Sequence, residues 1–239
     1  MIDSLLLAAT RISTFEHQRG LTGATGFFFL RDERLFLVTS RHVLVDTPSR
    51  HHPNRIEIEL HTDATDLTRS TGFSLLLFRD GRSQWRQGTD SGGEIDVAMI
   101  EIDRAALPED AVLRAFTPAH LPRRGASVEV GSSVLIVGFP LGFHDTVHHL
   151  PVVRQAVVAS AFGIRFQGQG YFLTDALTHR GASGAPVVMR DESLGELPWQ
   201  LLGVHSARLD MASRDRVQDE SLGLNCAWYA DMLMALSED

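Results

Sequence analysis

Gly181-Ala182-Ser183-Gly184-Ala185-Pro186 sets one serine among small residues, shortly after Thr174-Asp175-Ala176 and His179-Arg180 and just before the apolar Val187-Val188. Glycine permits backbone angles and close approaches that a side chain blocks. A serine in that setting can present its hydroxyl and leave nearby backbone N–H groups free to bind an anion. Alone, the same six residues also describe an ordinary loop. The rest of the chain decides between the two. A serine hydroxyl is a weak nucleophile until an imidazole takes its proton, and the imidazole needs a carboxylate to fix its tautomer.

The chain has 239 residues, enough for one large domain or two small ones sharing an interface. Its 44% apolar and 22% charged residues are those of an ordinary globular protein. A net charge of −8 leaves no basic stripe, so no nucleic-acid partner is expected. The single cysteine, Cys226, cannot close an internal disulfide, which fits a reducing compartment. Met1 to Ala9 has no basic region and only a short apolar run, neither a convincing leader nor a membrane span. The expectation is a soluble, cytoplasmic protein with no membrane association.

Taken in order, the chain is strongly β after an ambiguous Ser4 to Phe15, which reads as a short helix or a first strand. Gly26-Phe27-Phe28-Phe29-Leu30, the polar Arg31 to Arg34, and Leu35-Phe36-Leu37-Val38 read as a hairpin. It delivers the chain to Thr39-Ser40-Arg41-His42-Val43, with His42 just beyond a buried strand. Arg55 to Leu60 alternates as a half-exposed strand should, Phe73 to Phe78 is another, and Arg79 to Gly93 reads as a loop. Glu94 to Ile102 is a mostly apolar strand with Asp96 at its entrance, where an acid is disfavoured and needs a reason.

Residues 104–127, with three prolines, read as the connection between halves spanning 1–103 and 128–239. The second half offers strands at Val134 to Val137, Val152-Val153 with Ala156 to Ala159, Tyr171 to Leu173, Val187 to Met189 and Gln200 to His205. Ala227 to Leu236 is predicted as the terminal helix, since Trp228, Met232 and Leu236 share a face. Many short strands with regular turns point to an all-β barrel or sandwich.

His42, Asp96 and Ser183 now stand at the ends of apolar strands, in the order His, Asp, Ser. That is the order of chymotrypsin-like enzymes, whereas α/β-hydrolases run Ser, acid, His. The hydrolase elbow also needs glycine two places after the serine, where this chain has Ala185.

Four segments in the right order carry a resemblance to trypsin-like peptidases of the HtrA and V8 type. Thr39 to Val43 resembles their histidine motif and Asp96-Val97-Ala98-Met99-Ile100 their aspartate strand. Val134 to Gly142 is similar to the first strand of their second barrel, and Thr174-Asp175-Ala176 with Arg180 to Gly184 to their nucleophile segment. The likeness runs from about Leu21 to Ala207. It implies an all-β, chymotrypsin-like double Greek-key β-barrel ending in a helix, a serine endopeptidase acting on polypeptides, and a protease domain alone. His42 would be the general base, Asp96 its orienting partner, and the N–H groups of Gly181 and Ser183 the oxyanion hole. Secreted trypsins carry an aspartate where this chain has Ala182, so no activation charge pair is expected. Arg180, Asp175, contacts with other loops, or a regulatory or oligomer partner would then order the oxyanion loop.

The family pattern places Leu177, Thr178, His205, Ser206 and Arg208 at the specificity pocket. Leu177 replaces the trypsin acid, which argues against cleavage after Lys or Arg. Thr178 and His205 coincide with the pair that holds glutamate in V8-like enzymes, so a preference for acidic P1 residues is the hypothesis. The competing reading packs His205 into the core and leaves a small apolar pocket. Ser206 to Arg208 would pair with substrate as an added strand. His51, His52, His144, His148 and His149 lie in polar loops without ligand spacing, so neither metal nor cofactor is expected. The rival to an enzyme is a gated or inactive protease fold that binds peptides or a partner protein.

Overall fold

The computed structural model describes residues 2–123, 127–210 and 221–238, with only the backbone of residues 208–210 and 221. A single 3₁₀ turn, Ser4–Leu7, leads into β1 (Ala9–Glu16), β2 (Arg19–Arg31) and β3 (Arg34–Thr39). The helical turn α1 (Arg41–Leu44) follows, then β4 (Arg55–His61) and β5 (Ser70–Leu76). A two-residue hairpin, β6 (Phe78–Arg79) and β7 (Arg82–Ser83), precedes β8 (Trp85–Asp90) and β9 (Gly93–Ile102). The second half contains β10 (Ser133–Gly138), β11 (Val152–Val158), β12 (Tyr171–Asp175), β13 (Pro186–Arg190), β14 (Trp199–Asp210) and β15 (Ser221–Tyr229). The helix α2 (Met232–Leu236) ends it.

Seven strands of the first half pair in the order β5-β4-β1-β2-β3-β9-β8, and six of the second close a barrel in the order β10-β11-β12-β15-β14-β13. In the first half β4 returns to lie beside β1, giving the Greek-key order 4-1-2-3. The all-β, two-barrel architecture is therefore the expected one, with the first barrel open between β5 and β8.

The apolar runs are continuous because these strands are buried on both faces. Alternate side chains of a strand point to opposite faces. Phe27 and Phe29 of β2 enter a core between the barrels, while Phe28 enters the core of the first barrel. Phe36 and Val38 of β3 likewise face the shared core, with Leu35 and Leu37 turned inward. From the second half, Val137, Val188, Leu201 and Val204 enter the shared core, and Ile136, Val187 and Leu202 fill the second barrel. One apolar layer thus holds the halves against each other.

Two expectations need correcting. The terminal helix is five residues long, Met232–Leu236, and Ala227 to Tyr229 belong to β15. The i, i+4, i+8 spacing of Trp228 was coincidental. That residue is buried because β15 pairs with both β12 and β14, closing the barrel. Short apolar runs are where the helical and strand periods are hardest to separate. The expected loop Arg79 to Gly93 also contains β8, which pairs with β9 and has no apolar alternation to announce it. Cys226 in β15 is buried, and burial pushes its thiol up to about 11.

The barrels also meet through polar groups at Gly184, whose φ is +86°. A Cβ there would fall well inside contact distance of the Thr25 carbonyl oxygen and Thr39 Oγ1. Backbone cannot yield as a side-chain tip can. A left-handed angle on a non-glycine residue alone costs of order 1–3 kcal/mol. Gly184→Ala is therefore expected to destabilise the protein by about 2 kcal/mol or more in urea unfolding, while Gly195→Ala, with open space around it, should cost less.

Candidate active site

His42 stands in α1, directly after β3. Ser40, at the head of that turn, donates from Oγ to the His205 carbonyl of β14 at 3.2 Å, tying the turn to the second barrel. Asp96 sits near the start of β9, and its carboxylate explains its place in an apolar strand. Oδ2 accepts from His42 Nδ1 at 2.7 Å and Oδ1 from the His42 backbone N–H at 2.9 Å. Ser206 of β14 donates its hydroxyl to Oδ2 as well. With the proton on Nδ1, the lone pair of His42 Nε2 is the basic one.

The electrostatics agree with that arrangement. Burial alone would raise the Asp96 pKa, but the hydrogen bonds and charge of His42 and the Ser206 hydroxyl bring it below the usual carboxylate value. For His42, burial pushes down while the Asp96 hydrogen bond and charge push up, and the net displacement is upward from 6.5.

Ser183 lines the same cavity as His42 and Gly181, a cleft of about 610 Å³. Its Oγ donates to the Ser206 carbonyl at 3.1 Å, and among the described residues it makes no hydrogen bond to His42. Just before it, Gly181 has φ +92°, and a Cβ there would lie 2.5 Å from the Phe139 carbonyl oxygen. The Arg180 carbonyl accepts from the Leu141 N–H at 2.5 Å. In a trans peptide the C=O and the following N–H point in opposite directions. The Gly181 N–H is therefore turned away from Leu141. Among the described residues, neither it nor the Ser183 N–H has an acceptor.

The residues expected to form the specificity pocket are only partly brought together. Thr178 and His205 are both 2% exposed. The Thr178 hydroxyl donates to Asn225 Oδ1, and Asn225 is anchored by Nδ2 to the Ala176 carbonyl at 2.9 Å. Burial pushes His205 down to about 4, so the ring is neutral at neutral pH, and Nδ1 has no partner among the described residues. Leu177, 64% exposed, lines a separate hollow with Phe143, Val153 and His179. Arg208 pairs through its backbone with Asn225, and its side chain lies outside the described residues.

Sequence reasoning missed Asn225, Thr25 and the Leu141 N–H. A polar residue inside an apolar strand was the available signal for the first two. Arg180 and Asp175, the candidates for ordering the loop, form no ion pair among the described residues. The Arg180 backbone is what is held. The loop histidines bind locally: His51 Nε2 to the Val43 carbonyl at 2.9 Å and His148 Nδ1 to Asp145 at 2.7 Å. No group of three metal-binding side chains occurs among the described residues.

This fold matches known proteins. The family described as "Trypsin-like peptidase domain" matches residues 24–197, and the chain belongs to it. Among individual relatives, Serine protease HTRA1A of Danio rerio is 26% identical over 174 residues, which is 73% of this chain and 29% of that protein. Serine protease HTRA1B of the same fish is 25% identical over 194 residues, 80% of this chain and 34% of its own length. The chain thus spans about a third of the curated relatives it matches. A crystal structure of the serine endoprotease from Yersinia pestis superposes with a TM-score of 0.54 at 17% identity, covering 96% of this chain and 61% of that one. That likeness shows the fold.

Nuclear magnetic resonance titration of the His42 ring should give a midpoint above 6.5. In Asp96→Asn it should fall below 6.5, because burial, the largest influence, then outweighs the smaller opposing charge of Asp46. The stability sign follows. A raised folded-state value contributes fully below 6.5 and is lost as pH rises through the raised midpoint.

Proposed function

We propose that the chain is a serine endopeptidase acting through an acyl-enzyme at Ser183. The observation that carries the reading is an Asp96-held imidazole sharing one cleft with a serine in a glycine-flanked loop. His42 is held by Asp96 with Nε2 basic, and among the described residues the N–H groups of Gly181 and Ser183 have no acceptor. Rotation of Ser183 about χ1 would move Oγ from the Ser206 carbonyl to His42 Nε2, which takes the proton as Oγ attacks the scissile carbonyl. The developing oxyanion would lie against the two N–H groups, and His42 would return its proton to the leaving amine. Water activated by the same imidazole would then release the acyl group.

Substrate would add as a strand along Ser206 to Arg208. Its own N–H would compete for the Ser206 carbonyl and free the serine. Extended polypeptide is accordingly the substrate class. Among the described residues, no helix is long and apolar enough to cross a membrane.

The pocket bears on P1. Thr178 and His205 remain the basis for an acidic preference. Two observations favour an uncharged P1 residue instead: the Thr178 proton already goes to Asn225, and His205 is neutral. A P1-varied peptide library should therefore show kcat/KM for Ala, Val or Leu at least ~10-fold above Glu and Asp, a difference of about 1.4 kcal/mol. Glu ahead of them would restore the acidic reading.

One observation favours the second function, a gated module that binds a peptide or partner. It is the resting bond of Ser183 to Ser206. Leu141 and Phe143, 70% and 71% exposed, would give such a partner an apolar hold on the segment that binds the Arg180 carbonyl. A fluorophosphonate probe separates the two. Wild type should label at Ser183, Ser183→Ala not at all, and Asp96→Asn ~10⁴-fold more slowly. Labelling should rise with pH through a midpoint above 6.5, since the base must be neutral. Wild type unlabelled even with peptide present would leave the binding module as the reading.

A further inference from the structure

Thr25 lies in β2, in the first barrel, and is completely buried. It cannot touch a substrate, yet all its polar groups meet the segments that build the site. Its Oγ1 donates to the Gly181 carbonyl at 2.7 Å and accepts from the Phe139 N–H at 3.0 Å. Its backbone N–H donates to the Ser183 carbonyl at 3.0 Å, and its carbonyl accepts from Thr39 Oγ1 at 2.8 Å. One hydroxyl thus joins the nucleophile loop to the segment after β10, whose Leu141 N–H holds the Arg180 carbonyl. The peptides on both sides of Gly181 are pinned: Arg180–Gly181 by Leu141, Gly181–Ala182 by Thr25.

Packing leaves no slack at this point. A Cβ on Gly138 would lie 2.6 Å from Thr25 Oγ1. Glycine at 181 makes the restraint necessary, because a residue without Cβ has many other angles open to it. Arg180 and Asp175 supply no ion pair to the loop among the described residues, and Ala182 carries no carboxylate. Among the described residues the order comes from neutral hydrogen bonds, and Thr25 makes the side-chain one that reaches the Gly181 peptide.

We propose that Thr25 is a positioning residue for the oxyanion hole: its hydroxyl clamps the Gly181 carbonyl and the Phe139 N–H so that the Gly181 and Ser183 N–H groups face the cleft. This rests on the peptidase reading of the site. The discriminating variants are Thr25→Val, which keeps the shape and removes the hydroxyl, and Thr25→Ser, which keeps the hydroxyl. Losing one oxyanion donor slows turnover ~100- to 1000-fold. Thr25→Val should therefore lose kcat on the order of 100-fold with KM within about 3-fold, as for an interaction felt only in the transition state. Thr25→Ser should stay within about 5-fold of wild type. If the valine variant does not fold, Thr25→Ala removes the same hydroxyl without pressing a methyl on two polar groups, and the same split is expected.

A second arm needs no turnover. Crystal structures of the variants should show the Gly181 carbonyl released, and the Arg180–Gly181 peptide turned, in the valine or alanine variant and not in the serine variant. The proposal is overturned if both peptides keep their wild-type orientation without the hydroxyl, whatever the activity. It is equally overturned if Thr25→Ser falls as far as Thr25→Val. A wild type that neither labels nor cleaves while the peptides still turn would refute the peptidase reading and uphold the positioning role.

Discussion

The carboxylate of Asp96 accepts three hydrogen bonds from two barrels, and the site depends on it. Two come from His42, through ring and backbone, and one from the Ser206 hydroxyl of β14. Taking a carboxylate out of water costs several kcal/mol unless partners replace the solvent. Here the partners sit on separate halves of the molecule, so the cost is offset only when the halves are docked. The ionised aspartate therefore reports on assembly of the fold and also fixes the imidazole. Truncating Ser206 or shifting β14 would be felt at His42 without touching it.

The apolar layer between the barrels makes that arrangement durable. Phe27, Phe29, Phe36 and Val38 from one side meet Val137, Leu201 and Val204 from the other, all fully buried. The same alternation that sends Phe28 inward sends its neighbours across the seam. Hydrophobic burial is non-directional and cannot set the orientation of a peptide plane. Short hydrogen-bonded contacts at Thr25, Gly184 and Ser40 supply the direction. Strength and aim come from different interactions, a few ångströms apart.

His42, Asp96 and Ser183 stood out as candidates because each is a polar residue at the end of an apolar strand, and their chain order excluded another fold. The hairpin at Phe27 to Val38 was legible because two apolar runs flank a polar turn. The final helix was misread at Trp228, since a residue buried by barrel closure has the same appearance as one on a helical stripe. β8 stayed hidden because an edge strand with no fully buried residue and Trp85 as its one apolar side chain carries no pattern. The specificity pocket was least legible. Whether Thr178 offers its proton depends on Asn225, 47 residues away, and no local spacing encodes that partner. The loop-ordering contacts were hidden for the same reason, being made by backbone groups of distant segments and one buried hydroxyl.

Cys226 carries a consequence for where this chemistry can operate. A lone cysteine suggested a reducing compartment. Its thiol is buried in the barrel wall and stays protonated far above neutral pH. Thiolate is the reactive form in oxidation and exchange, so this sulfur offers nothing to glutathione, to peroxide or to a second chain. The candidate nucleophile, Ser183 Oγ, is an oxygen and the candidate base, His42 Nε2, a nitrogen, neither of which changes oxidation state. The folded barrel pair thus offers no reactive thiol, and its one cysteine does not tie the candidate site to either side of an oxidising boundary.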